Sequence, residues 1–138
     1  MDAFSVRTKI MIGGGMDALA QRLHRVFLVT DKFMDESGKT NYVTDRLLRN
    51  SGEFKIFSDV QADPDIATVT RGVEQILEFQ PDAVVAFGGG SAIDAAKAIV
   101  FFAARERDMR DCKFIAIPTT SGTGSEVSRF AVITDREK

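Results

Sequence analysis

Short apolar runs alternate with stretches of helical periodicity along most of the chain. The fully apolar run 83–87 is typical of a parallel strand that is covered on both faces. The alternation of strand and helix predicts an α/β fold, an open, mainly parallel sheet with helices on both faces. The six predicted strands are residues 9–12, 25–30, 55–57, 83–87, 114–117 and 130–133.

Apolar positions at helical spacing predict four helices between these strands. The first covers 16–23, and the second, around 43–47, is expected to end with Gly52 at the C′ position. Asp63-Pro64 predicts an N-cap followed by proline in the first helical position of the third helix, which Pro81 ends. The expected buried faces of the third and fourth helices are Ile66, Val69, Val73, Ile76 and Leu77, and Ala92, Ala95, Ala96, Ile99, Phe102 and Ala103.

Composition limits the class of protein. The chain has 138 residues, 44% hydrophobic and 28% charged, which fits one domain over 1–138 with its own core. A net charge of −2 without a basic block argues against a nucleic-acid partner, and no apolar run is long enough for a bilayer. The N-terminus has no signal pattern and Cys112 is the only cysteine, so we expect a cytoplasmic protein.

Three glycines follow the fourth predicted strand and precede a helix. Gly88, Gly89 and Gly90 let backbone N–H groups approach an anion, and the helix adds its free N–H groups and positive dipole end. This arrangement predicts a pyrophosphate cradle. In the alternative, the glycines only make the turn and Ser91 pairs with Asp94 as in a capping box. A Gly-Lys-Ser/Thr motif is absent, so the loop is not a P-loop.

Two further polar segments stand at predicted strand ends. Residues 118–128 combine hydroxyl side chains with glycines, which suits hydrogen bonding to phosphate and ribose, although a flexible surface loop has the same composition. Asp31 ends the second strand, where a carboxylate can accept from ribose hydroxyls and repel a 2′-phosphate. Helix capping is the alternative for Asp31. Together the strand-end loops favour a nucleotide site.

The two long motifs, 87–99 and 117–127, resemble those of the iron-containing (group III) alcohol dehydrogenases, relatives of glycerol dehydrogenase and dehydroquinate synthase. Segments 29–31 and 132–135 match as well, so the resemblance covers essentially the whole chain. Phe101-Phe102 and the opening 4–6 look most like propanol dehydrogenases of propanediol-utilising microcompartments. The resemblance implies a Rossmann-like domain, as at the N-terminus of dehydroquinate synthase, and location in the cytoplasm or a bacterial microcompartment.

The resemblance also implies which residues bind NAD. One residue would bind the adenosine ribose and favour NAD, a second group would hold the pyrophosphate and its neighbouring ribose, and a third would line the cleft towards the nicotinamide. The ribose-binding residue is Asp31. The pyrophosphate group is Gly89, Gly90, Ser91 and Asp94. The residues of the cleft are Thr119, Thr120, Thr123, Ser128 and Val132.

The departure from the family concerns the metal. The family holds Fe²⁺, or sometimes Zn²⁺, with one aspartate and three histidines in a helical C-terminal domain, whereas this sequence has only His24, outside every motif. We therefore expect no catalytic and no metal-binding residue here, and no activity from this chain alone. The parent enzyme would interconvert a small primary alcohol and its aldehyde, with homo-oligomerisation left open. The alternative is a stand-alone nucleotide-binding or interaction module without catalysis.

Overall fold

The elements of the chain alternate between strand and helix. A computed structural model describes residues 5–12, 20–61, 65–119 and 130–137. All six predicted strands are present, and the short helix α1 is an addition. In chain order the elements are β1 (Ser5–Ile12), β2 (Arg25–Asp31), α1 (Lys32–Glu36), α2 (Asn41–Arg49), β3 (Glu53–Val60), α3 (Ile66–Phe79), β4 (Ala83–Gly88), α4 (Gly90–Ala103), β5 (Lys113–Pro118) and β6 (Phe130–Glu137).

The strands form one six-stranded sheet in the order β1-β6-β5-β4-β2-β3. Strands β3, β2, β4 and β5 run parallel, whereas β6 is antiparallel to both β5 and β1. The mainly parallel sheet predicted from the sequence is therefore confirmed. From β2 the chain passes to β3 on one side and then returns to β4 on the other side, so the topological switch point lies between β2 and β4. Ligands of open α/β sheets bind at such a point, outside the carboxyl ends of the strands.

Alternate residues of the central strands face two separate apolar cores, because successive side chains of a strand point to opposite faces. Phe27 of β2 and Val84 of β4 pack with buried residues of α3 and α4. Leu28 and Val85 face the opposite side, where they pack with residues of α2. Helices on both faces are thereby confirmed. Most of the predicted first helix lies outside the described residues. None of the described helices is long and apolar enough to cross a membrane.

Helix α3 begins later than the sequence suggested. Its N-cap is Asp65, whose side chain accepts a hydrogen bond from the Thr68 N–H at 2.9 Å, so the assignment of the N-cap to Asp63 is wrong. Residues 62–64 lie outside the described part of the chain. Ile66, expected in the core, is 85% exposed. It stands about 200° around the helix from Thr68, and the buried line runs through Thr68, Gly72 and Ile76.

Two other helix details also differ from expectation. Helix α2 ends in a Schellman motif in which Ser51, with φ of 63°, takes the left-handed C′ position that we expected for Gly52. Gly52 follows it and donates to the Leu47 carbonyl at 2.8 Å. On α4, Phe102 is 45% exposed because it lines a groove between α3 and α4, and Val100 is buried in the core.

Helices α3 and α4 pack closely through a glycine. A Cβ atom added at Gly72 would lie 2.7 Å from Cγ1 of Ile99 and nearer still to its Cδ1. Ile99 is fully buried, so it has little room to move aside. The absence of a side chain at Gly72 therefore sets how closely the two helices approach on this face of the sheet.

Candidate nucleotide-binding site

Two hydrogen bonds join the strands at the switch point. The buried Thr30 hydroxyl donates to the Phe87 carbonyl at 2.7 Å, which ties β2 to β4. The Thr119 N–H donates to the Gly88 carbonyl at 3.0 Å, which ties the residue after β5 to the end of β4. As a result Asp31, the glycine loop and Thr119 lie together at one edge of the sheet.

Gly88 makes the turn that leaves β4. Its φ of +145° lies in a region that L-residues rarely adopt, and an added Cβ would be 3.2 Å from Cβ of Ala92. The sequence placed Gly88 in the glycine loop, but the residues that the family resemblance implied for cofactor binding were only Gly89 and Gly90 of the three. The signal that could have found it is its position as the first glycine after a buried strand, where the chain must turn sharply.

Gly89 and Gly90 border open space at the start of α4. Apart from the glycines' own chain neighbours and the nearby helix backbone, no atom of the described residues lies within 4 Å of a Cβ added at either position. Gly89 is the N-cap, and with no side chain it gives no cap hydrogen bond to the first turn of the helix. The N-terminal N–H groups and the positive dipole end of α4 therefore face a space that an anion can enter.

The capping-box alternative does not fit this helix start. A capping box needs Ser or Thr at the N-cap with an acceptor three residues later. Here Gly89 is the N-cap, Ser91 is in the second helical position, and Asp94 is exposed one turn further along. Helix α4 thus begins without a side-chain cap at its N-cap residue.

Asp31 is a helix cap whose second carboxylate oxygen faces the glycine loop. It is the N-cap of α1, and its Oδ1 accepts a hydrogen bond from the Met34 N–H at 2.8 Å. Its Oδ2 lies only 3.9 Å from the position of a Cβ at Gly88, so the carboxylate also faces the glycine loop. Capping fixes the orientation of this carboxylate and leaves Oδ2 facing the glycine loop.

The predicted site residues differ in where the structure places them. Ser91, in the first turn of α4, and Thr119, directly after β5, are half-buried near the glycine loop. Val132 lies on β6, where it pairs with Ala116 of β5. The structure thus gathers one group around the ends of β2, β4 and β5: Asp31, Gly89, Gly90, Ser91 and Thr119. Outside the described residues lie Thr120, Thr123 and Ser128.

The sequence did not predict a cavity that lies at the same end of the sheet, where the parallel strands have their carboxyl ends. It has a volume of about 270 Å³ and lies at the end of β3, next to the strand that carries Asp31. Nothing in the local sequence marks it, because residues from α1, β3 and α3 form it together. Its lining residues are Lys32, Ser58, Asp59, Val60, Gln61 and Arg71.

The described residues do not provide an iron site. Within 20–61 and 65–119, where side chains are described, no three His, Cys, Asp or Glu side chains come together as metal ligands would. Cys112 is buried beside Lys113, apart from the glycine loop.

A parallel sheet with a switch point between β2 and β4, and a glycine loop leading into an uncapped helix, define a Rossmann-like α/β domain. Comparison with known proteins gives the family. Residues 8–138 match the iron-containing alcohol dehydrogenases, and the chain belongs to that family.

Two relatives show the extent of the similarity. The chain is 41% identical to 1-propanol dehydrogenase PduQ of Citrobacter freundii, over all of this chain and 37% of that protein. It is 44% identical to an aldehyde-alcohol dehydrogenase of Streptococcus pneumoniae (strain TIGR4), over 83% of this chain and 16% of that protein. The likeness to propanol dehydrogenases is therefore confirmed, and the chain spans about a third or less of these relatives' lengths.

Solved structures agree with the family and the fold. Sulfoacetaldehyde reductase from Bifidobacterium kashiwanohense, solved in complex with NAD⁺, is 33% identical to this chain. The match has a TM-score of 0.62 and covers 85% of this chain and 35% of the other. The part of the relatives that this chain matches is accordingly one Rossmann-like domain of a longer protein.

Proposed function

We propose that this chain is the NAD-binding part of a metal-dependent alcohol dehydrogenase that interconverts a small primary alcohol and its aldehyde. Family membership and relatives named as alcohol dehydrogenases support the reaction class. The observation that carries the assignment to NAD is the open, uncapped start of α4 at Gly89 and Gly90, beside the carboxylate of Asp31.

In this proposal the chain binds and orients the cofactor. The pyrophosphate lies over Gly89 and Gly90, where the N–H groups of the first turn of α4 donate to its oxygens. Asp31 accepts from the hydroxyls of the adenosine ribose while Oδ1 keeps its bond to the Met34 N–H. Thr119, held by its N–H bond to Gly88, borders the same edge. The nicotinamide supplies the hydride chemistry, and the protein supplies positioning and electrostatics.

Membership of the family extends the proposal to Fe²⁺, or Zn²⁺, in the whole enzyme, where it would polarise the alcohol oxygen. The described residues of this chain offer no donor set for that ion, so no catalytic step is assigned to them. The likeness to 1-propanol dehydrogenase extends the proposal to location, in the cytoplasm or in a bacterial microcompartment.

Calorimetric titration with NAD⁺ tests the cradle. Wild-type protein is expected to bind, and Gly90→Asp is expected to abolish binding, because it places a carboxylate at the first helical position of α4 against the pyrophosphate. The matched control is Ile66→Asp, which puts the same charge at the first helical position of α3, where Ile66 is 85% exposed. Equal loss of binding in both variants, or no binding by the folded wild type, contradicts the proposal.

A further inference from the structure

We propose that Asp59, through its ion pair with Arg71, is a second determinant of cofactor choice and disfavours dinucleotides that carry a 2′-phosphate. The inference rests on the proposed function, because it requires the dinucleotide to lie along the edge formed by β4, β2 and β3. It adds the cavity at the end of β3 as the place where the 2′-substituent of the adenosine ribose would lie.

The order of the strands indicates in which direction a substituent on the ribose 2′-oxygen would extend. Strand β2 lies between β4, which carries the glycine loop, and β3, which leads to the cavity. Asp31 and Val60 are Cα partners across β2 and β3, so the cavity begins one strand away from the Asp31 carboxylate. A dinucleotide with its pyrophosphate over Gly89 and Gly90 and its ribose at Asp31 runs along this edge from β4 to β2. A group on the ribose 2′-oxygen then extends towards β3.

The cavity holds the side chains that usually recognise phosphate. Lys32 follows Asp31 directly, and Arg71 reaches the cavity from α3. Lysine and arginine are the common partners of phosphate oxygens, and arginine can bind two oxygens at once. The cavity volume of about 270 Å³ exceeds by several times the roughly 30 Å³ that a water molecule occupies in the liquid. By size and by its two cations the cavity suits a phosphate group.

Asp59 neutralises this site. Its Oδ2 lies 3.3 Å from Nε of Arg71, and Nη2 of Arg71 also donates to Oγ1 of Thr68 at 3.4 Å. Asp65 attracts the same guanidinium, which adds to the hydrogen bond from Thr68 in lowering the pKa of Asp65. The two cations, Lys32 and Arg71, are thus accompanied by three carboxylates: Asp59, Asp65 and Asp31, which precedes Lys32 in the chain. A 2′-phosphate, with a charge of about −1.5 to −2, would meet no net positive charge.

Asp31 and Asp59 influence cofactor choice at two different places. Asp31 acts at the ribose, where it accepts from a 2′-hydroxyl and repels a 2′-phosphate. Asp59 acts beyond the ribose, by keeping Arg71 from the phosphate. Removing the charge of Asp31 or of Asp59 alone leaves the other in place. Neither single substitution is therefore expected to convert the preference fully from NAD⁺ to NADP⁺. Removing both lets Lys32 and Arg71 face the phosphate together.

The test measures dissociation constants for NAD⁺ and NADP⁺ by calorimetry in four proteins: wild type, Asp31→Ser, Asp59→Asn and the double variant. Each single change is expected to shift the NAD⁺/NADP⁺ affinity ratio towards NADP⁺ by about fivefold, and the double variant by at least about twenty-fivefold. Arg71→Gln in the double variant is expected to bring the shift back to about the fivefold of Asp31→Ser alone. Thermal melting checks folding, and Asp59 and Arg71 are both partly exposed, so little loss is expected.

The control is Asp108→Asn, which removes a charge from a similarly exposed pair, Asp108 with Arg110 at 2.8 Å. This pair precedes β5 and so lies at the opposite edge of the sheet. An unchanged ratio in Asp59→Asn, or a shift equal to that of Asp108→Asn, overturns the inference and leaves the proposed function standing if NAD⁺ still binds. Failure of the wild type to bind either dinucleotide overturns both.

Discussion

Helix α3 has Gly72 in its middle and α4 has Gly90 at its start, and the two glycines have opposite surroundings. At Gly72 the space that a Cβ would fill belongs to the buried side chain of Ile99. At Gly90 the same space holds no atom of the described residues. One glycine is required by the protein's own packing, whereas the other leaves space beside the start of a helix. A glycine therefore indicates a ligand site only where its missing side chain leaves space.

The same substitution at both glycines separates these roles, and the larger effect is expected in the core. Overpacking at Gly72→Ala should cost about 1–3 kcal/mol, and the better helix propensity of alanine offsets about 1 kcal/mol. The net loss expected in urea denaturation is therefore at most roughly 2 kcal/mol. In an Ile99→Val background, which removes the offending Cδ1, the loss should shrink. An equal loss in both backgrounds would show that Ile99 is not the cause.

At the other glycine, Gly90→Ala should leave the free energy of unfolding unchanged or slightly raised, because the methyl group meets open space and alanine favours helix. Its effect should fall on the ligand. A methyl group in the cradle keeps the pyrophosphate from the helix N–H groups, and we expect about a tenfold loss of NAD⁺ affinity. Calorimetry measures the change in NAD⁺ affinity, and denaturation of the same sample measures the change in the free energy of unfolding. Unchanged affinity would mean that the pyrophosphate binds elsewhere.

Asp31 caps α1 and, in the proposed function, also binds the ribose, so two substitutions are needed to separate these roles. Asp31→Ser keeps an oxygen that can cap α1, whereas Asp31→Ala loses the cap and about 1 kcal/mol of stability. Both remove the charge, and both should shift the NAD⁺/NADP⁺ affinity ratio towards NADP⁺ by about fivefold. A ratio that does not move in either variant would reduce Asp31 to a capping residue.

The smallest effect is expected at Asp65, which caps α3 just as Asp31 caps α1. The hydrogen bond from the Thr68 N–H lowers the pKa of Asp65 below 3.8, with smaller contributions that include the charge of Arg71. Because the folded state favours the ionised form, Asp65 stabilises at neutral pH, and this is lost as pH falls through the folded pKa. Asp65→Asn should melt slightly below wild type at neutral pH, and the two should converge in acid. A difference in melting temperature that is the same at all pH values would show that the charge of Asp65 does not stabilise the fold.

Periodicity and strand-end chemistry were enough to predict the sheet, because β4 is apolar throughout and the glycine loop follows it directly. The residues at which helices begin and end were harder to predict. Asp63-Pro64 has the composition of a helix start, yet Asp65 provides the cap, and the sequence alone does not distinguish two aspartates so close together. The cavity at the end of β3 could not be predicted at all, because Lys32, Asp59 and Arg71 meet only through the tertiary fold.

The hydrogen bond between Thr30 and Phe87 also has a kinetic consequence. It joins residues 57 positions apart, whereas Arg25 and Glu53, which pair β2 with β3, are 28 apart. Loop-closure entropy makes the longer closure less favourable by about 0.6 kcal/mol per doubling of length. During folding the β2–β3 unit should therefore gain protection before β4 docks. Pulse-labelled hydrogen exchange would then find the amides that join β2 to β3 protected before those that join β2 to β4, so that the glycine loop takes its place only once the centre of the sheet has assembled.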